Sequence, residues 1–596
     1  MKKSNVAQVL ALILMYLAVA HHAAAINIKN SPHDLSVGNT TVGAVKGTTE
    51  ARICIFCHVP HAAAVNTDLN YQKPLWGRTE SNLATEYQTY VSDTIKSLPG
   101  QPLGPSRLCL SCHDGTIAMG APNAHKVTEV INLTPTSQNS LGTDLRDDHP
   151  ISMEYYLNTE EFVSPASVKL LKPHNGINYV ECTSCHDSHN NQYGNFLVMN
   201  TADQKDALCT SCHQKTGWLE STHKTGGARY VSPTPGYVAK NGCISCHKPH
   251  GAQRSVALLE LAATGISIDS NCYDTCHGSA APYSNFKPAG GMNTHTLIAG
   301  VTDSHKHTEE LPLAAADKHA HCVDCHNPHQ ANFAGSPLAS TSPLVTPASV
   351  APNVNGPLRG VRGVSVSGAV IPAPGLATSE FEICFKCHTG QFTYSSTQVQ
   401  RTFFSLNESD RFNPSVAKSY HPVAGARTGS GASLLGTATA NYIYCSQCHN
   451  PHGSSLPHNL LLDNPADFSA TQTQTGYLLC YSCHNVNWLM DTGTDVGKLH
   501  IAHVFGQHNP ASANPYRFYR ASCSACHDPH GVPAVGGSTA DNSSRLINFD
   551  RRFVAAGSAY STTGKSCSIS GPGVSTNCHA DATLPSIYKY NPYPYP

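Results

Sequence analysis

Along this 596-residue chain, hydrophobic positions keep neither the 3.6-residue period of a helix nor the two-residue period of a strand over any long stretch. The most continuous apolar block comes first, in "MKKSNVAQVLALILMYLAVAHHAAA". Lys2 and Lys3 form a positive start, Val9 to Ala20 an apolar run and Ala23-Ala24-Ala25 a small-residue cleavage site, which predicts a secretory signal over residues 1–25. The run is too short for a membrane span, and no later stretch approaches ~18 uninterrupted apolar residues. The mature chain is expected to be exported, extracellular or on the outer cell surface, with the periplasm as the alternative.

The remaining pattern predicts loops and short helices, few short strands and little regular secondary structure. Gly (45) and Pro (39) are frequent, and 40% hydrophobic residues are too thinly spread to fill the interior of so long a chain. Something other than side chains must occupy it. Charge adds little: 38 Lys and Arg nearly cancel 39 Asp and Glu, so neither a nucleic-acid surface nor an acidic tail is indicated.

The 24 cysteines change the picture. In an exported protein they would first suggest disulfides, but ten pairs stand as Cys-x-x-Cys-His. The first five are Cys54, Cys57 and His58; Cys109, Cys112 and His113; Cys182, Cys185 and His186; Cys209, Cys212 and His213; and Cys243, Cys246 and His247. The others are Cys322, Cys325 and His326; Cys384, Cys387 and His388; Cys445, Cys448 and His449; Cys480, Cys483 and His484; and Cys523, Cys526 and His527. "CYDTCH" adds Cys272, Cys276 and His277 with one extra residue, and "CSISGPGVSTNCH" adds Cys567, Cys578 and His579 with ten between the thiols. The spacing fits covalent haem c: two thiols about one turn apart add to the two vinyl groups of a porphyrin, and the following imidazole takes the iron. A zinc site would need four converging ligands and gives no reason for His after every second Cys. Twelve haems use every cysteine. For Cys567 and Cys578 a disulfide closing the Gly/Pro/Ser loop stays open.

The motifs also alternate. Odd ones carry a second His three residues on (His61, His189, His250, His329, His452 and His530), whereas even ones do not. The chain therefore reads as six copies of a two-haem unit, over 26–145, 146–220, 221–290, 291–395, 396–497 and 498–596. A further His precedes each pair: His33, His149, His223, His307 (or His305), His421 and His503 (or His500 or His508). Of 35 histidines, two in the signal and twelve proximal ones leave 21, so six trailing and six upstream His supply one distal ligand per iron and nine are spare. His125, His174 and His458 read as ordinary spare histidines. Met is scarce, at 7, and has no such placement, so bis-histidine ligation is expected, with lower potentials than His/Met.

Residues i and i+3 of a helical turn share a side, so His452 cannot reach around the haem that His449 ligates. It is expected to serve a neighbouring haem, and the other trailing His likewise. A Pro/Ala/Ser-rich stretch at 335–375 reads as a surface insertion, with "VRGVSVSGAVI" able to form edge strands, and "YKYNPYPYP" as a flexible tail.

Alternating CxxCHxPH and CxxCH units from Cys54 to His579 resemble the doubled-CxxCH multihaem cytochromes of metal-respiring bacteria. The resemblance implies a chain wrapped around a continuous array of stacked and T-shaped haem pairs. It also implies electron transfer toward an extracellular metal oxide or electrode, with other redox cytochromes as partners or self-association into a filament. A non-polymerising carrier is the first rival reading and a multihaem reductase with one open haem the second. No catalytic residues are proposed.

Overall fold

In the computed structural model, the described residues are 28–61, 75–77, 86–92, 95, 97–115, 139–156, 161–165, 170–174, 176–226, 229–230, 236–237, 242–253, 255–260, 268–272, 276–277, 295, 309–314, 319–332, 353–354, 356–372, 375–390, 401–405, 407–429, 431–436, 438, 440–465, 476–504, 522–551, 559–561 and 566–568. The expected signal, His125, His305, His307, His508, Cys578, His579 and the Tyr/Pro tail lie outside them, as do the side chains of His174, His503 and Cys567. The chain forms two compact units, residues 1–219 with 223–275 and residues 220–222 with 276–596. Among the described residues both are mostly loops and turns with short helices and two- to four-residue strands, as the sequence pattern predicts. No helix among the described residues is long and apolar enough to cross a membrane.

In the first unit, helix α1 (Gly104–His113) starts with proline in its first turn, where a missing N–H costs nothing. It buries Leu108 and Leu110 and ends on the second haem motif. Strands β1 (Met153–Glu154), β2 (Lys172–His174) and β3 (Ile177–Val180) make an antiparallel sheet in the order β1-β3-β2. Gly176, at φ +80°, closes the β2–β3 hairpin in a conformation that favours glycine. Directly after β3, α2 (Cys182–Cys185) carries the third motif and α3 (Ala207–Thr210) begins the fourth. The apolar clusters here are small, such as Tyr87 with Leu110 and Leu145, or Tyr155 with Leu171.

The second unit packs more side chain against side chain. The attachment turn α4 (Cys322–Cys325) is followed by α5 (Glu380–His388), which a capping box between Ser379 and Glu382 starts. Phe381 and Phe385, four residues apart on one face, join Leu311, Leu313, Val364, Phe412 and Val423, while Ile383 turns to Val361 and Ala377. Asn407 caps α6 (Glu408–Phe412), and α7 (Leu478–Tyr481), α8 (Val486–Leu489), α9 (Asp495–Val504) and α10 (Cys523–Cys526) follow.

The described part of 335–375 corrects the expectation of a surface insertion. Val364 pairs with Val370 and Arg362 with Leu376, and Gly368 at φ +81° makes the turn between them. Val361 and Val364 are buried against α5 from opposite sides of the ribbon, Val364 on the aromatic cluster and Val361 on Ile383. Replacing Phe385, 2% exposed, by alanine should cost about 3–5 kcal/mol. The expected result is a lower unfolding midpoint at unchanged haem content.

Candidate haem sites

The attachment motifs share one closing bond. The N–H of the proximal His donates to the carbonyl of the first Cys in eight described motifs, at 2.8 Å for His58, His213 and His326, 2.9 Å for His186, His247, His484 and His527, and 3.0 Å for His449. That bond puts both thiols and the imidazole on the same side, as attachment to a single ring requires.

The same spacing sits in more than one kind of turn. Cys57, Cys246 and Cys448 end tight 3-10 turns, and their N–H groups donate to the carbonyls of Cys54, Cys243 and Cys445 at 3.1–3.2 Å. Cys112 and Cys387 stand instead in the last turns of the full helices α1 and α5. Cys212 and Cys483 fall between these cases, each just past the capping serine of the short helices α3 and α7. The reason lies outside the motif. Pro105 and the Ser379 cap start helices that run through Cys112 and Cys387, whereas returning segments clamp the three that end 3-10 turns, the Leu461 N–H donating to the Cys448 carbonyl at 2.9 Å. The Gly77 N–H donates to the Cys57 carbonyl and the Glu260 N–H to the Cys246 carbonyl, both at 2.8 Å. Cys57, Cys112, Cys246 and Cys387 are each half-buried.

Cys272, Cys276 and His277 of the lengthened motif are also half-buried. Cys567 lies in a strand (Ser566–Ser568) opposite Tyr560.

The proximal rings face other imidazoles. In the first unit the ring centres of His58 and His189 are 6.0 Å apart, His113 and His33 6.1 Å, His186 and His250 6.2 Å, and His213 and His149 6.2 Å. In the second they are 6.0 Å for His326 and His452, 6.3 Å for His388 and His295, 6.0 Å for His449 and His530, 6.3 Å for His484 and His421, and 6.2 Å for His527 and His500. A ligating nitrogen lies about 1.1 Å from its ring centre and about 2.0 Å from its metal, so two imidazoles on opposite sides of one ion stand about 6 Å apart. All nine pairs meet that separation at interplanar angles from 1° to 77°, as rings turning independently about their metal bonds would. The residues present therefore fit a haem iron between each pair.

His295, which sequence reasoning left among the spare histidines, faces His388, and His500 rather than His503 faces His527. The nine pairs do not include the proximal His247 and His277 or the upstream and trailing His223 and His329, and His61 is exposed.

Local structure fixes which nitrogen is free. Nδ1 of His186, His247, His449 and His527 contacts the carbonyl of Asn195, Ala257, His458 and Arg545 at 2.7–2.9 Å. Donation to a carbonyl sets the tautomer and leaves the Nε2 lone pair for a metal. The four acceptors share a conformation that the sequence did not advertise. Each, together with the residue after it, has φ between 47° and 63°, a left-handed pair of non-glycine residues. Backbone strain thus recurs where it aims a carbonyl at a proximal imidazole.

The trailing histidines are also built locally. In four motifs the Asp or Asn after the proximal His accepts the trailing backbone N–H: Asp187 from His189, Asn327 from His329, Asn450 from His452 and Asp528 from His530, at 3.0–3.2 Å. These are Asx-turns. At His186, His326 and His527 the backbone is extended, so the expected shared helical side for the i, i+3 pair does not exist. The chain leaves the helix at the proximal His, and that exit carries the trailing ring to another site.

The residue before the trailing His docks the upstream one. His33 Nδ1 contacts the Ser188 carbonyl at 3.2 Å, His295 that of Pro451 at 2.9 Å and His421 that of Pro529 at 2.6 Å, while the His149 N–H donates to Pro249 at 2.8 Å. Each docking brings two prospective distal imidazoles together from distant parts of the sequence. First cysteines of successive motifs also stand beside one another: Cys109 and Cys182, Cys209 and Cys243, Cys384 and Cys445, and Cys480 and Cys523.

Burial pushes most of these imidazoles toward the neutral form that can ligate, His213 down to about 3 and His449, His452, His484 and His527 to about 4. His250 and His530 move the other way. Burial opposes their charge, but Asp148 at 3.0 Å and Glu408 at 3.1 Å from Nδ1 outweigh it. A carboxylate there makes the imidazole a stronger donor. With a haem held between His186 and His250, Asp148→Asn should therefore raise its potential by on the order of 50 mV, a tenfold change in a one-electron equilibrium. A spectroelectrochemical titration resolves it.

Residues 372–536 match the outer membrane cytochrome MtrC/MtrF-like family, domains II/IV, and residues 174–217 match the doubled CXXCH motif. The chain is a multihaem c-type cytochrome. The first match contains the motifs from Cys384 to His527, and the second those of Cys182 and Cys209 with their proximal His. No curated protein matches the cytochrome. Its haem supplies the one-electron iron chemistry of electron transport, while its thiols and imidazoles would hold the group and its backbone carbonyls set the tautomers.

Proposed function

We propose that the cytochrome binds twelve haems, gives each iron two imidazoles, and passes electrons along the series to an extracellular acceptor such as a metal oxide. Each ring is held by both thiols of its motif. Cys57, Cys112, Cys246 and Cys387 are second attachment points in this reading, in spite of their different turns. The nine facing imidazole pairs carry it. Their register is regular: a trailing His faces the proximal His two motifs earlier, as His189 does His58, His250 does His186, His452 does His326 and His530 does His449. An upstream His faces the even motif of its own repeat, as His33 does His113 and His421 does His484. Trailing ligands couple odd haems to odd ones, and the cysteine contacts set even motifs beside the next odd one. Both support a continuous path within each unit.

The test is a haem assay with spectroscopy on the purified chain. Twelve haems per chain, all low-spin in the assembled protein, with rapid oxidation by ferric oxide after reduction, is the expected result. Eleven would return Cys567 and Cys578 to a disulfide, and a high-spin haem that binds nitrite would favour a reductase.

His61 supports the filament version. By the register above, the trailing His of the first repeat would serve a motif two places earlier, and residues 1–53 contain none. The eleventh motif's His527 already faces His500, so the twelfth haem of a second copy is the acceptor we assign to it.

A further inference from the structure

Outside the haem motifs' own ligands, three side chains of the second unit converge. His319 Nε2 lies 3.3 Å from Glu309 Oε1 and 3.4 Å from Asp324 Oδ1. The three atoms all fall within 4.8 Å of one another, and the side chains are 2%, 9% and 7% exposed. Both distances exceed the ~2.7–3.2 Å of an ordinary N–H···O bond. They equal instead the edge of a tetrahedron whose corners lie about 2.0–2.1 Å from its centre, roughly 3.3–3.4 Å, the bond length of zinc to imidazole and carboxylate.

The surroundings hold the donors in place. Asp324 Oδ2 accepts the His321 N–H at 2.6 Å, which turns Oδ1 toward His319. Buried Lys386 donates to the Asp324 carbonyl at 2.9 Å, and Arg362 to the Glu309 carbonyl at 3.1 Å. Fixing ligands through hydrogen bonds on their far sides is how metal sites are oriented.

We propose that Glu309, His319 and Asp324 bind one divalent cation of the zinc class, with water completing the tetrahedron. One nitrogen and two carboxylate oxygens suit such an ion, and the two negative charges offset its own. Asp324 lies between Cys322 and Cys325, inside the attachment turn of the seventh haem. The ion therefore pins the segment from Glu309 to Asp324 and places positive charge beside that haem, which favours its reduced form.

The rival arrangement is a protonated His319 bridging the two carboxylates, and it takes up no metal. The full-length, haem-loaded chain is stripped with a chelator, incubated with zinc chloride and desalted, and bound zinc is counted against haem. The wild type should hold one zinc more per chain than His319→Ala, and its zinc absorption fine structure should show nitrogen and oxygen ligands near 2.0 Å. Equal zinc in the two proteins, meaning adventitious binding elsewhere, overturns the proposal. If His319→Ala fails to assemble haem, the wild type alone decides: zinc must raise the potential of a single haem reversibly, and no such shift overturns the site.

Discussion

His452→Ala opens the haem held by Cys322, Cys325 and His326, and leaves low-spin the haem attached four residues before it at Cys448. The ring of His452 stands 6.0 Å from that of His326 at an interplanar angle of 26°, the separation of two imidazoles on one iron. Removing one leaves a five-coordinate or water-ligated iron. The variant should therefore gain one high-spin haem in twelve, bind carbon monoxide in that proportion, and show one potential raised above the rest. The covalent count should not change, because both thiols remain. The double variant with His326→Ala should affect the same single haem, since two residues on one iron act as a unit. Combination with His449→Ala should affect two. If His452→Ala altered the haem of its own motif, or none, the register would be wrong.

His61→Ala should leave the haem count unchanged and abolish filaments. The side chain is exposed, and neighbouring Val59 and Phe56 are buried, so the attachment turn itself is anchored without it. Within one chain the substitution removes a surface imidazole, which alters stability by only a few tenths of a kcal/mol. Between chains it would remove an iron–nitrogen bond at each junction. Electron microscopy of the extracellular fraction should show fibres for the wild type and dispersed particles for the variant. The dispersed wild type would carry one haem per chain that binds carbon monoxide. Unaltered fibres in His61→Ala would refute the assignment, and dispersed wild type without an open haem would leave the cytochrome a discrete carrier.

Much of this site is written in the spacing of residues. The bond from the proximal His to the first Cys recurs in eight motifs, because an i to i+4 closure needs no help from the rest of the fold. How much helix surrounds that bond was not legible. Cys112 and Cys387 stand in the last turns of full helices while Cys57 and Cys246 end 3-10 turns, according to what the neighbouring chain supplies. The six-fold alternation of trailing His is visible in the sequence, but the position of a trailing ring was legible only as a conclusion. His452 does leave its own haem, but through an Asx-turn after the proximal residue rather than along a helix. The valines around Val364 misled for a related reason, since a short Gly-rich ribbon reads as surface until aromatic residues from α5 arrive to cover it.

The sequence by itself determined the cofactor class and the repeat, since covalent attachment and its closing bond are local and survive without tertiary contacts. Only the tertiary structure decided which imidazoles face each other. His33 meets His113 across 80 positions and His295 meets His388 across 93, and nothing within a few residues of either encodes its partner. A distal ligand approaches from the open face of a ring whose other face the attachment turn already occupies. Its source is whichever segment the fold carries there, such as one docked on the carbonyl before a trailing histidine.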